Sequence, residues 1–323
     1  MKLIPRSEKW GVLQYDPKEH RFICKPSLDI GMSPYSSKPV VLNIDLTMKC
    51  NMDCRYCVAM DFKEKAQDLV ISNKLIQWIN KSDFMVVVVT GGEPLLPAYE
   101  DKLISLLKKI KRKGLIVDTN GTIYPSEKLI AAFTKTETLL RISLDSLRPQ
   151  DEIYFRHARL PSPHNTKINL ELYKRKFEII GRLRRQTNIN IAIQSVIHSK
   201  NARSIFNVPD LLDKYSITTW YIQRFIPSYK ASDVKFGNEK YYEIVNKLSD
   251  LCSQRGIKCI IKKDRRHNSV FLLVGDGLLY TQGEKPGEKI LLGSIWKQVR
   301  YFDYVSSADH AERYYENGRP GKV

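Results

Sequence analysis

Apolar residues recur with two different periods along this chain, and through its middle the two alternate. Phe84–Thr90 is a continuous apolar run rich in β-branched residues, the pattern of a parallel strand buried on both faces. Val40–Leu46, Leu115–Thr119, Leu139–Leu144, Ile189–Ile197 and Thr218–Phe225 predict further strands. Between them the spacing turns helical, at Asn73–Asn80, Tyr99–Lys113, Ser126–Lys135, Lys167–Gln186 and Val208–Lys214. Leu103, Leu107 and Ile110 share one face of the second helix, which Gly114 is expected to stop. Ser126 is placed as the N-cap of the third. About six consecutive strand–helix units imply a parallel sheet with helical crossovers, an α/β architecture.

The flanks read differently. Trp10–Tyr15 and Arg21–Lys25 predict a hairpin around Asp16-Pro17-Lys18-Glu19, followed by a Pro/Ser/Gly-rich linker, Pro26–Pro39. Beyond the sixth strand, Tyr241–Gln254 is helical and Ile257–Lys262 extended. Ser269–Thr281 forms two short strands around Gly275-Asp276-Gly277, where Asp-Gly is a hairpin signal. The expected division is residues 1–39 as hairpin and linker, 40–228 as core, and 229–323 as an α+β extension closing the core.

Composition narrows the class. With 323 residues, 42% hydrophobic and 27% charged, the chain has the make-up of a soluble globular protein. Phe84–Val89, its longest fully apolar run, is far short of the roughly 20 residues that span a bilayer. No secretory signal is evident, so a cytoplasmic protein without a membrane span is expected. The formal charge of +18 favours anionic partners: a nucleotide, a nucleic acid, an anionic membrane surface or an acidic peptide. No RNA-binding motif accompanies it. Much of the charge is expected on solvated helix faces, among them Lys108, Lys109, Lys111, Arg112 and Lys113, and Lys174, Arg175, Lys176, Arg182, Arg184 and Arg185.

The chemistry is concentrated in Cys50-Asn51-Met52-Asp53-Cys54-Arg55-Tyr56-Cys57, directly after the first core strand. Three thiolates in one short loop can meet three irons of a cubane, and soft thiolates suit iron–sulfur clusters. A structural zinc site or buried free thiols are the alternatives, though zinc would want a fourth Cys or His nearby. The next strand ends in Gly91-Gly92-Glu93-Pro94, where the glycines would let the backbone approach a ligand closely.

A CxxxCxYC loop after one strand and GGEP after the next closely resemble the radical S-adenosylmethionine (SAM) superfamily, of the molybdenum-cofactor-synthase-like type, over about residues 40 to 225. The resemblance implies a partial (β/α)6 TIM-type barrel with an N-terminal hairpin and a C-terminal α+β extension. It implies a [4Fe–4S] cluster on Cys50, Cys54 and Cys57, whose fourth iron takes the amino and carboxylate groups of SAM. Reductive cleavage of SAM then gives a 5′-deoxyadenosyl radical. Gly91, Gly92, Glu93 and Pro94 would run along the methionyl group. Asn120, in an Asn-Gly step after the third strand, lies near SAM in relatives. Ser143 and Asp145, in Ile142-Ser143-Leu144-Asp145-Ser146, become ribose or carboxylate contacts. Arg156 and Arg159 fall where relatives carry a basic residue, and Tyr56 would set its ring by cluster and adenine. All lie at C-terminal strand ends, where β/α barrels build their sites.

The resemblance says little about substrate. Cys24, Cys252 and Cys259 match no auxiliary-cluster spacing and read as ordinary buried cysteines. A weaker similarity to viperin-like nucleotide dehydratases runs through Ser269–Leu273 and Lys289–Gly293. Before these lies a basic loop, Lys262-Lys263-Asp264-Arg265-Arg266-His267, able to grip a triphosphate with help from Lys200 and Arg224. Hydrogen abstraction from an anionic small molecule, a nucleotide, is therefore expected, with flavodoxin or ferredoxin as the kind of electron donor implied. A peptide-modifying maturase, its hairpin edge pairing with an extended peptide, is the alternative, and a non-catalytic cluster-binding regulator the remote one.

Overall fold

The computed structural model describes residues 3–8, 11–26, 38–57, 67–159, 165–226, 229–231, 233–262, 271–282 and 289–297. The chain opens with β1 (Ile4–Glu8), β2 (Gly11–Asp16) and β3 (Arg21–Pro26), followed by β4 (Val41–Thr47), α1 (Asn73–Lys81) and β5 (Val86–Gly91). Next come α2 (Glu100–Lys109), β6 (Gly114–Thr119), α3 (Glu127–Thr136), β7 (Leu139–Ser143), α4 (Pro149–Phe155) and α5 (Thr166–Gln186). Then follow β8 (Asn190–Ile197), α6 (Val208–Lys214), β9 (Thr219–Arg224), α7 (Asn238–Gln254), β10 (Lys258–Lys262), β11 (Phe271–Leu273), β12 (Leu278–Gln282) and β13 (Lys289–Ser294).

The main sheet has the order β10-β9-β8-β7-β6-β5-β4-β11-β12-β13. Strands β4 to β10 run parallel, β11 adds in parallel to the β4 edge, and β12 and β13 continue antiparallel. The expected mixed α/β architecture with a parallel sheet is therefore present. Among the described residues no ladder joins β10 to β13, and the segment after residue 228 contributes strands to both edges of the sheet. No described helix is long and apolar enough to cross a membrane.

The pleat sorts the strand residues between two cores. Val87, Val89, Leu115, Val117, Leu140 and Ile142 pack with the helices. Val86, Val88, Ile116 and Leu139 face the other side, where they meet Leu13 and Tyr15 of β2. The N-terminal segment is more than the expected hairpin: β1 pairs with the far edge of β2, making a three-stranded antiparallel sheet. The turn itself is as read, with Asp16 Oδ1 accepting from the amides of Lys18 (3.0 Å) and Glu19 (3.3 Å). Trp10 and most of the linker lie outside the described residues.

That N-terminal sheet corrects the role of Gly114. Helix α2 already ends at Lys109, with Ile110 extended, so Gly114 stops no helix and instead opens β6. A Cβ there would fall into the Tyr15 ring, 2.7 Å from Cδ1. The bulk of β2, packed against the sheet, requires the glycine. Ser126 caps α3 as expected, its hydroxyl accepting from the Leu129 amide at 3.2 Å.

Candidate active site

The cysteine loop leaves β4 and is held from two sides. On one side Gly92 N donates to Thr47 O at 2.6 Å and Glu93 N donates to Lys49 O at 2.9 Å. Gly91 has φ +120, where a side chain is strained, and a Cβ on it would overlap Thr47 O. A Cβ on Gly92 would overlap Lys49 O and stand 2.5 Å from Lys49 C and 2.9 Å from Met48 C. The close approach that these glycines serve here is to the cysteine loop itself, where the sequence suggested approach to a ligand.

On the other side the loop lies against residues 155–159. Asp53 N donates to His157 O (2.8 Å), Arg55 N to Phe155 O (2.8 Å) and Arg159 N to Asn51 O (2.9 Å), with Met52 and Ala158 bridged antiparallel. Lys230 Nζ reaches Asp53 at 2.8 Å and Arg55 Nη2 reaches Asp233 at 2.9 Å, tying the loop to the segment after β9. The thiols of Cys50, Cys54 and Cys57 lie near enough that each charge would repel the others. Burial pushes Cys50 up to about 11 and Cys54 up to about 12, against the pull of Arg156 on Cys54. As thiolates they call for cationic partners, which cluster irons supply. Among the described residues no three Cys, His, Asp or Glu side chains converge on a single-ion position.

Glu93 is fully buried beneath this loop. Its Oε1 accepts from Leu95 N (2.9 Å) and Thr119 Oγ1 (2.8 Å), and its Oε2 from Asn120 N (2.7 Å). All three donors are neutral, and burial lifts the carboxyl to about 7. An ionised carboxylate has about four acceptor positions, so one remains, on Oε2. The same Asn120 sends Nδ2 to Asn51 Oδ1 (2.8 Å) and to Cys50 Sγ (3.8 Å), while its Oδ1 accepts from Thr122 N at 2.9 Å. Glu93 and Asn120 thus join the ends of β5 and β6 to the cysteine loop.

A second network sits at the end of β7. Asp145 is fully buried; its Oδ2 accepts from Arg156 Nε at 2.8 Å and from the Tyr56 hydroxyl, and its Oδ1 from Val196 N at 2.8 Å. Burial opposes its charge, but Arg156 and these hydrogen bonds hold the carboxyl below its ordinary value. Tyr56 lies under the Arg156 guanidinium (5.1 Å) and beside Phe155 (5.5 Å between centroids). Ser143 O accepts from Lys176 Nζ at 3.3 Å, and Lys176 forms a buried ion pair with Glu152. Lys176 was expected on a solvated face; it is buried because Glu152 sits opposite it. Glu152 also accepts from the amides of Asp145 (2.7 Å) and Ser146 (3.1 Å).

Glu152, on α4, is a site residue that the sequence reading passed over. Its signal was present, since Pro149 followed by Asp151 and Glu152 is a helix-start pattern. His198 is another. Its Nδ1 accepts from Asn201 N at 3.2 Å, burial lowers it to about 4, and its buried Nε2 meets no hydrogen-bond partner among the described residues. Pro94 continues the turn after Glu93, and Lys200 lies 4.9 Å from the Tyr154 ring centroid. Of the basic loop 262–267, only the backbone of Lys262 falls within the described residues.

Residues 44–193, spanning the cysteine loop, Glu93 and Asp145, match the model of the radical SAM superfamily. The chain carries a radical SAM domain. Proteins of this superfamily work with a [4Fe–4S] cluster and SAM. The radical SAM chain is 32% identical over 117 residues to a GTP 3′,8-cyclase of Syntrophomonas wolfei, covering 34% of this chain and 35% of the cyclase. It is 25% identical over 232 residues to an S-adenosylmethionine-dependent nucleotide dehydratase of Lacinutrix mariniflava, covering 67% of this chain and 45% of the dehydratase. It thus spans less than half the length of either relative. In fold it is similar to Streptococcus suis SuiB bound to precursor peptide SuiA, with TM-score 0.61 at 12% identity, over 95% of this chain and 88% of SuiB.

Proposed function

We propose that this radical SAM enzyme holds a [4Fe–4S] cluster on Cys50, Cys54 and Cys57, binds SAM along Gly91–Pro94, and abstracts hydrogen from a nucleotide. The observation that carries the reading is the clasp of Gly91-Gly92-Glu93 on the cysteine loop, which sets Cys50 beside a buried carboxylate held only by neutral donors. When bound, cluster and SAM together supply a 5′-deoxyadenosyl radical by one-electron cleavage of the sulfonium.

The chain's own residues do the rest. Glu93 offers the remaining position on Oε2 to the amino N–H of SAM. Asn120 fixes Cys50 through its amide contact with the sulfur. Asp145 orients Tyr56 and Arg156, both of which bond its Oδ2. Ser143 closes the β7 end. An electron donor such as flavodoxin or ferredoxin would approach the loop.

The nucleotide reading is supported by the names of the relatives and by the charge of +18. The chain also leaves β10 at Lys262, at the same end of the parallel sheet as the cysteine loop, and its sequence continues with Lys263, Arg265 and Arg266. A peptide substrate is the second reading, favoured by β1, whose outer edge pairs with no described strand.

Anaerobically reconstituted protein should give a reduced [4Fe–4S] EPR signal that changes on adding SAM. An intact cluster in Cys54→Ala would refute the cluster assignment. Nucleoside triphosphates should stimulate 5′-deoxyadenosine formation above the uncoupled background. Stimulation by none of them, with cluster and SAM binding intact, would overturn the nucleotide alone.

A further inference from the structure

Alternate residues of the central strands turn away from the helices, and on that face the character changes with height. Val88, Ile116, Leu139 and Ala192 form a buried apolar floor with Tyr15 of β2. Two residues further along the same strands, on the same face, stand Thr90, Asp118, Arg141 and Gln194. Thr90, Asp118 and Gln194 are partly exposed there. The face therefore opens one pleat above the floor, toward the end of the sheet that carries the cysteine loop. Arg141 sits in this layer with its side chain only 4% exposed. Its Nε donates to Asp118 Oδ1 (2.6 Å) and its Nη2 to Asp118 Oδ2 (2.7 Å), and its Cζ lies 4.7 Å from the centroid of the Tyr221 ring. A guanidinium carries five N–H donors. With two of them on Asp118, the two on Nη1 and one on Nη2 meet no acceptor among the described residues. Charged donors left unpaired in a buried place are costly, which points to a ligand.

We propose that Arg141, fixed by Asp118, is a specificity-determining residue that selects the base of the nucleotide. Its outer fork, one N–H from each Nη, takes two adjacent acceptor atoms of the ring. The proposal rests on the nucleotide reading above. Asp118 offsets the charge of the fork, so the fork suits a neutral acceptor pair; a phosphate there would face the carboxylate as well. Guanine offers such a pair at O6 and N7, and cytosine at O2 and N3. Adenine sets its amino group beside N1 and N7, and uracil sets N3–H between its two oxygens. The depth is also suitable. Asp118 precedes Asn120, which reaches Cys50 Sγ, by two residues, or about 7 Å along the strand. A base held by Arg141 thus lies at the deep end of the site, with the ribose turned toward the cysteine loop.

The test is anaerobic titration calorimetry of the cluster-loaded full chain, with SAM present and no reductant, using GTP, CTP, ATP and UTP. GTP or CTP should bind about tenfold or more tightly than ATP and UTP, the worth of a hydrogen bond to a charged donor. The 7-deaza analogue of GTP, or the 3-deaza analogue of CTP, lacks one acceptor of the pair and should lose that advantage. Arg141→Lys keeps a charge beside Asp118 but removes the fork. In it the four affinities should draw level, and the deaza analogue should bind as well as its parent, with SAM affinity unchanged. A merely structural arginine would weaken all four alike and leave their order in place, and that result would overturn the proposal. The deaza comparison in the wild type decides even where the variant does not fold. Equal binding of all four to the wild type, or a preference for ATP or UTP, would overturn this inference alone. Binding of none would overturn the nucleotide reading together with it.

Discussion

Replacing Glu93 by Gln isolates the buried carboxylate while keeping its shape. With its carboxyl lifted to about 7 by burial, unliganded Glu93 is about half protonated at pH 7. N–H donors from a bound ligand favour the ionised form, so SAM binding should expel that proton. Coordination of SAM releases protons of its own, and the difference between wild type and Glu93→Gln removes that common part. The difference should be about half a proton per SAM at pH 7 and roughly a tenth at pH 8. Loss of a hydrogen bond to a charged group costs about 1.5–3 kcal/mol, so affinity should fall roughly tenfold to a hundredfold. Anaerobic titration calorimetry of cluster-loaded protein, in two buffers of different ionisation enthalpy, measures both quantities.

Stability gives an independent sign. Folded Glu93 keeps its proton between about pH 4.5 and 7, where the unfolded chain has lost it, so the unliganded protein should lose roughly 3 kcal/mol as pH rises through that window. Glu93→Gln should lack this slope. Equal proton release from both proteins at pH 7, with unchanged affinity, would refute the assignment of Glu93 to the SAM amino group.

Three further outcomes are expected. Gly92→Ala forces a methyl against Lys49 O and should cost about 1–3 kcal/mol in urea denaturation, with reduced iron content after reconstitution; wild-type values of both would show that the clasp is not tight. Asp145→Asn takes the nearer carboxylate from the buried Arg156 and leaves it only Glu152 at 4.0 Å, so a loss of about 3 kcal/mol is expected in the same assay. Because Asp145 is held below its ordinary value, its contribution is present above about pH 4 and fades as pH falls, so the two proteins should converge in acid. Arg265→Ala with Arg266→Ala should raise the KM for a nucleoside triphosphate about tenfold or more while uncoupled SAM cleavage stays constant; a change in uncoupled cleavage instead would place these arginines in the SAM site.

Much of the fold was legible because its signals are local. Buried parallel strands announce themselves as runs like Val86–Val89, and the cysteine loop and GGEP stand at fixed offsets from two of them. Gly114 shows where such reading stops. A glycine after a helical pattern suits both a helix stop and a close approach, and only Tyr15, nearly a hundred residues earlier, decides between them. Polar partners have the same difficulty. Lys176 belongs to a run of basic residues, and nothing in its neighbourhood of sequence distinguishes it from Lys174 or Arg175. It is buried because Glu152 lies opposite and because Glu152 is itself held by the amides that follow β7.

The same distinction governs the candidate site. Motif position identified Glu93, Asn120, Asp145, Arg156 and Tyr56, but it presented them as separate contacts to one ligand. Their hydrogen bonds divide them into two sets. Glu93 and Asn120 brace the cysteine loop from β5 and β6, with one acceptor position left on Glu93. Asp145, Arg156 and Tyr56 bond to one another instead, and through Tyr56 they fix the residue beside Cys57. A substitution in the first set should therefore change ligand binding and proton release, whereas one in the second should change stability and cluster retention first. Asp145→Asn protein that retains full stability and cluster but loses SAM affinity would overturn that division.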